Sequence, residues 1–280
     1  MNTASRRRQL ARTVILDRAL EALPLFRLSD SGEEVAISFT ADGGGRWRVL
    51  PAPGERLPGT FDQDVYVELL RRYHEAGAPA DGLLTFTLHA FLRTMGRRVD
   101  GRTYEQLRAA LNRLQRTTLE STNAWFDAAA GARWSGQFAV LASVSIDRRR
   151  LTDRDQLALF SALTNNEPGD AQVNLAPQLR TNIEAGFTIT LSAQRYQQLS
   201  SPVARRLYRR LMVARADTGR TWEVTLERLA ELLPLSQRYP SHLQRVLQPA
   251  HEMLLAAGVL RSAVISQHDK TWLVAYTLAE

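Results

Sequence analysis

The chain of 280 residues is too long for one minimal domain and fits two of ordinary size, and its 44% hydrophobic content excludes disorder along most of its length. It contains no cysteine, which excludes a disulfide framework and thiolate metal sites. A net charge of +7 points toward a polyanionic partner, and all 36 basic residues except Lys270 are arginine, whose planar fork suits phosphates and guanine edges, although a GC-rich genome produces the same bias.

The first 28 residues read as a basic tip, Arg6 to Arg8, and an amphipathic helix ending before Pro24. The apolar stretch 11–25 is interrupted by Arg12, Asp17, Arg18 and Glu21, so it does not read as a secretory signal, and no run approaches the roughly 18 apolar residues of a membrane span. A bacterial cytoplasm is the expected location. VAISFT and RWRVL alternate around ADGGG as a hairpin, and LPAPGERLPG is a proline- and glycine-rich boundary.

From Thr60 the period becomes helical. FDQDVYVELLRRYHEAG is one helix, LLTFTLHAFLRTMG a second ended by Gly96, and GRTYEQLRAALNRLQRTTLES holds a third with Thr103 a candidate N-cap. TTLESTNAWF and WSGQFAVLASVSI follow as strand-like runs around DAAAGAR. Helix, helix, turn, helix, hairpin is the order of a winged helix-turn-helix. RRRLTDRDQLALFSALTNNEPGD reads as a link, after which the plan repeats. SPVARRLYRRLMVARADTG is a helix, VTLERLAELLP the next, PSHLQRVLQPAHEMLLAAG the third, and LRSAVIS and TWLVAYTL a hairpin around QHDK. The expected fold is therefore α+β, mainly helical, with two tandem winged helix-turn-helix domains. The boundaries are 1–58 for an N-terminal arm and hairpin, 59–150 for the first domain, 151–172 for the linker and 173–280 for the second domain.

Catalytic patterns are missing. There is no G-x-x-x-x-G-K-[ST] loop and no G-x-S-x-G elbow, and His74, His89, His242, His251 and His268 form neither H-E-x-x-H nor H-x-H. Asp62 and Asp64, beside a helix start, read as partners of the helix dipole rather than a metal pair. The expectation is a non-enzyme with no catalytic residues, cofactor or metal.

What remains is a pattern for DNA. On a helical wheel centred on Leu107, Leu111 and Leu114 fall within about 40°, while Arg102, Glu105, Ala109, Asn112, Arg113 and Arg116 turn the other way, flanked by Arg108 and Gln106. Arginine forks for guanine, an amide for adenine and little bulk are what a groove-facing helix needs. The second unit turns Arg238, Ser241, Gln244, Arg245 and Gln248 outward, with His242 at the flank, and Pro249 is expected to kink that helix. Arg205 stacks above Arg209 and Arg206 above Arg210 without local acids, which favours an external phosphate. Lys270 at the hairpin tip is a further candidate phosphate contact.

QLSSPVARRLYRRLMVARADTG with LAELLPLSQRYPSHLQRVLQPAHEMLLAAGVL resembles the plasmid replication initiator protein A family, which includes initiators of the TrfA type. LPLFRLSD, LPGTFDQDVYVELLRR and DGRTYEQLRAALNRLQRTTLES are similar to its N-terminal half, so the resemblance runs from about residue 23 to the end. It implies two winged-helix domains that bind repeated sites in a plasmid origin, opening of an adjacent AT-rich duplex, and recruitment of the host initiator and replicative helicase. It also implies a homodimer formed through the N-terminal domain, binding of repeats as a monomer, and DNA-reading positions around Arg102 to Arg116 and Arg238 to Gln248. The scarcity of lysine departs from many members, and residues 41–58 and 127–137 have no match. A winged-helix transcriptional regulator shares this architecture, and a protein-interaction module without DNA binding is the reading from another class.

Overall fold

The computed structural model describes residues 13–28, 36–146, 171–237 and 239–279. Within them, the first element corrects the expected N-terminal helix. Thr13–Asp17 is strand β1, and only Arg18–Glu21 is helical, as α1. Thr13, Val14 and Ile15 are β-branched and favour a strand. Val14 and Leu16 bury their side chains as β1 pairs antiparallel with β9, Thr188–Ser192, far along the chain. Asp17 ends the strand and starts the helix, its carboxylate accepting from the Ala19 amide at 2.7 Å.

The expected hairpin forms as β2 (Ile37–Thr40) and β3 (Arg46–Leu50). It joins β5 (Thr118–Asp127) and β6 (Ala132–Phe138) in a four-stranded sheet of order β2-β3-β5-β6. The turn needs glycine at Gly45, where a Cβ would lie 2.1 Å from the Asn123 carbonyl oxygen. Trp47, Trp125, Trp134 and Phe138 pack together on this sheet, and the Trp47 indole donates to the Pro24 carbonyl at 2.8 Å, fixing the sheet to the N-terminal segment.

The hairpin expected directly after the third helix forms as β5 and β6, but it belongs to that separate sheet and is not the wing of the first helical unit. The first helical unit instead consists of α2 (Thr60–Glu75), β4 (Leu83–Phe86), α3 (Leu88–Thr94), α4 (Gly101–Arg116), β7 (Leu141–Ile146) and β8 (Ala171–Leu175). LLTFTLHAFLRTMG is half strand and half helix, divided at Thr87, whose side chain caps α3 by accepting from Ala90. Residues 171–172, expected in the linker, begin β8, which lies between β4 and β7.

After α5 (Pro177–Glu184), β9 and α6 (Ala193–Gln198), a second set follows: α7 (Pro202–Thr218), β10 (Thr221–Thr225), α8 (Leu226–Leu232), α9 (Pro240–Ala256), β11 (Leu260–His268) and β12 (Thr271–Leu278). VTLERLAELLP, read as wholly helical, contains the end of β10 before α8. The sheet order is β10-β12-β11. Both sets run helix, strand, helix, helix, strand, strand, and in both the last strand lies in the middle of its three-stranded sheet. The fold is α+β, and β1, β4, β8 and β10 make it less helical than the sequence pattern implies.

Candidate nucleic-acid interface

Helix α4 starts on Asp100 rather than Thr103. The Thr103 amide donates to the Asp100 carboxylate at 2.9 Å, and the Asp100 amide donates to the Thr103 hydroxyl at 3.0 Å. Leu107, Ala110, Leu111 and Leu114 are wholly buried, each leucine contributing about 1.5–3 kcal/mol of burial. This apolar stripe packs on α2 and leaves Arg102, Glu105, Gln106, Asn112 and Arg116 exposed.

The arginines of α4 divide into different roles. Arg113 is corrected from the outer face to the interior, where its guanidinium donates to Asp62 at 2.7 and 3.1 Å. Asp62 also accepts from the Gly59 amide at 2.7 Å, so it caps α2 while holding α4. Arg108 is half-buried and bonded to Glu105 at 2.7 Å. Arg116 is exposed but ion-paired with Glu55 of the proline-rich boundary. Arg102 is exposed with no ion pair among the described residues, and Asn112 is exposed one turn before Arg116.

In the second set, Leu243, Leu247, Ala250, His251 and Leu254 form the buried face of α9. The helix continues through Pro249 without a break. Pro249 is exposed and lacks the amide that would bond to the Arg245 carbonyl. Ser241, His242, Arg245 and Gln248 are exposed and Gln244 is half-buried; Gln248 donates to Glu252 at 2.9 Å. Arg238 lies outside the described residues, as does the basic tip. No acid occupies the first turn of α9, leaving the positive end of its dipole open, whereas in α4 the Asp100 carboxylate caps that end. Lys270 is exposed at the β11–β12 turn, beside Asp269 at φ 52°. Sequence reasoning passed over Tyr239, the N-cap residue of α9, which is 69% exposed and whose ring meets His242 edge-on at 5.8 Å. It also passed over Arg98, whose side chain is 88% exposed in the turn before α4. Their place in the turns leading into the third helices was the available signal.

Below α9, the His251 Nε2 and the Tyr276 hydroxyl are 2.9 Å apart, and burial pushes the imidazole down to about 4. This contact joins the helix to β12.

The paired arginines of α7 are the largest correction. Arg206 and Arg209 are almost fully buried and both bind Glu21, at 2.8 Å each. Arg206 also donates to the Leu23 carbonyl at 2.8 Å, and Arg209 to Gln63 at 2.6 Å. Burial pushes the Arg206 guanidinium down to about 10 even beside Glu21. Arg205 is ion-paired with Asp64, which also accepts from Arg97 at 2.7 Å and from the Tyr196 hydroxyl at 3.2 Å. Arg210 lies over the Trp222 ring at 4.6 Å. These arginines join α7 to α1, α2 and β10. Arg205, Arg206 and Arg209 are paired with acids 141, 185 and 188 residues away, so they do not form an outward phosphate face.

The family model for replication initiator protein A matches residues 16–238. The chain belongs to the replication initiator protein A family. That match spans the sheet β2-β3-β5-β6, the first helical unit and the second as far as the turn before α9. Among solved structures, domains 2 and 3 of RctB align with a TM-score of 0.60 at 11% identity, covering 94% of this chain and 99% of that chain. A second RctB structure of the same domains gives 0.52 at 10% identity, covering 94% and 97%. The Pi initiator protein in complex with iteron DNA aligns with a TM-score of 0.39 at 11% identity, covering 96% of this chain and 98% of that chain. No curated protein matches. At these identities the RctB likeness concerns the fold. In this initiator, no helix among the described residues is long and apolar enough to cross a membrane, and no group of three or more His, Asp or Glu residues among them could hold a metal ion.

Proposed function

We propose that this initiator binds double-stranded DNA sequence-specifically through two winged-helix units, with α4 and α9 as the reading helices, and that its targets are repeated sites in a plasmid origin. The observation that carries the reading is the twice-used plan. In each set the third helix buries a leucine stripe and presents arginine and amide groups to solvent. Arg102 and Asn112 are the candidates on α4; Ser241, His242, Gln244 and Arg245 are those on α9, with Arg238 in the turn before it. Arg116 reaches a phosphate only by leaving Glu55, and Arg108 only by leaving Glu105. Lys270 fits the sugar-phosphate backbone, and Arg98 does so by leaving Asp100, 3.5 Å away.

Two such units on one face of the duplex would occupy major grooves about one turn apart, giving a site of roughly 20 base pairs. The reading includes no catalytic step, cofactor or metal. Recruitment of a host initiator and the replicative helicase, homodimer formation and a cytoplasmic, plasmid-associated location are parts of it that follow from the family. A transcriptional regulator is the second reading, supported by the same two reading helices. Footprinting on the DNA flanking the gene separates them: direct repeats beside an AT-rich segment indicate initiation, and a single inverted repeat over a promoter indicates regulation. Absence of any protected site would refute both.

A further inference from the structure

A cleft of about 440 Å³ opens between the N-terminal segment, the β2-β3-β5-β6 sheet and the α7–β10–α8 part of the second set. That volume lies within the range of sites for small organic ligands. Three guanidinium groups on its wall lie over aromatic rings: Arg18 over Phe187 at 4.9 Å, Arg210 over Trp222 at 4.6 Å and Arg228 over Phe39 at 4.1 Å. A guanidinium held by its face keeps its N–H edge free to aim in its own plane, which preorganises it for phosphate oxygens. Arg18 uses part of its edge on Asp217, and Arg228 uses its own on Asp42 at 2.7 Å and Glu231 at 2.9 Å.

Arg210 differs from both. Its Nε and Nη1 are out of contact with water and have no hydrogen-bond partner among the described residues, and burial pushes the guanidinium down to about 10. A buried donor left unfilled costs stability that a bound acceptor would restore once the Arg210 side chain turns that edge into the cleft. Arg18, Arg133, Arg210 and Arg228 line the cleft against Asp42, Asp217 and Glu223, with Glu231 paired to Arg228 beside it. Ala19, Ala22, Leu23, Val213 and Leu232 supply an apolar floor.

From this geometry we infer that the cleft binds the phosphate group of a small phosphorylated molecule of nucleotide size, with the Arg210 edge as the primary contact and Arg228 and Arg18 flanking it. Because its walls come from α1, the β2–β3 turn, α7 and α8, an occupant tightens the packing of the N-terminal half on the second set. The site is separate from the DNA-reading helices and does not depend on their assignment.

The test is thermal unfolding of the full chain in about 150 mM salt with ADP or sodium pyrophosphate at about 1 mM. Arg210→Met and Arg228→Gln serve as cleft variants, and Arg245→Ala as a control on the α9 face. The expected result is a saturable rise in midpoint of about 3 °C for the wild type and Arg245→Ala, at least halved in Arg228→Gln and lost in Arg210→Met. No rise with either probe, or an equal rise in both cleft variants, would overturn the inference. Should Arg210→Met fail to fold, Arg228→Gln alone decides.

Discussion

At the scale of single residues, arginine has two occupations in this chain, and local sequence does not distinguish them. Arg113 and Arg102 lie on the same helix, yet one is bonded to buried Asp62 and the other is exposed. Arg113→Ala leaves the Asp62 carboxylate buried without its cation and is expected to cost about 3–5 kcal/mol in urea unfolding. Arg102→Ala should cost less than about 0.5 kcal/mol while weakening DNA binding. Equal destabilisation by the two would contradict this division. His251 provides a pH prediction. The folded chain holds its imidazole near 4, below the free value of 6.5, so the neutral form is the one the fold favours. Its contribution is complete above about pH 6.5 and is lost as pH falls toward 4, amounting to at most about 3 kcal/mol. Asp17 acts in the opposite direction, because burial raises its carboxyl to about 7 and the folded chain gains stability as pH falls from there toward 3.8. The difference between wild type and His251→Gln therefore isolates the histidine: it should shrink as pH falls from about 6.5 to about 4 and stay constant above about pH 7.

At the scale of elements, the long helices α2, α4, α7 and α9 were legible because each carries an apolar stripe at helical spacing over 16 or 17 residues. The short strands were not. β4 and β10 each directly precede a helix, with a threonine serving as the helix cap, so four or five alternating residues merged into the following helical pattern. β1 was hidden because its partner is remote in sequence: Thr13 pairs with Ser192, Ile15 with Thr190 and Asp17 with Thr188. No local window can show such a partner. The same holds for Glu21, the buried acid between Arg206 and Arg209. Glu21→Ala strands two buried guanidinium groups and should lower stability by about 3–5 kcal/mol, whereas Glu231→Ala, at an exposed pair with Arg228, should change it by less than about 1 kcal/mol. Urea unfolding of the two variants checks the contrast.

At the scale of the whole molecule, which candidate residues reach the surface was legible only in part. The third helices were found from their order in the chain, and Arg102, Asn112, Ser241, His242, Arg245 and Lys270 are exposed as expected. Arg113, Arg205, Arg206 and Arg209 were misplaced because their acids come from distant elements. Those internal pairs join α7 to α1 and α2, so the two helical sets are connected through buried charge. Arg209→Ala is accordingly expected to unfold the protein more readily, and any loss of DNA binding should follow that loss of folded protein.

The central claim is that α4 and α9 read DNA. Quantitative footprinting on the flanking DNA with wild type, Arg102→Ala and Arg245→Ala tests it most directly. The expected result is protected repeats for the wild type and, in each variant, affinity for those repeats weaker by about 1–3 kcal/mol with unfolding midpoints unchanged. Protection that is identical in all three proteins would contradict it.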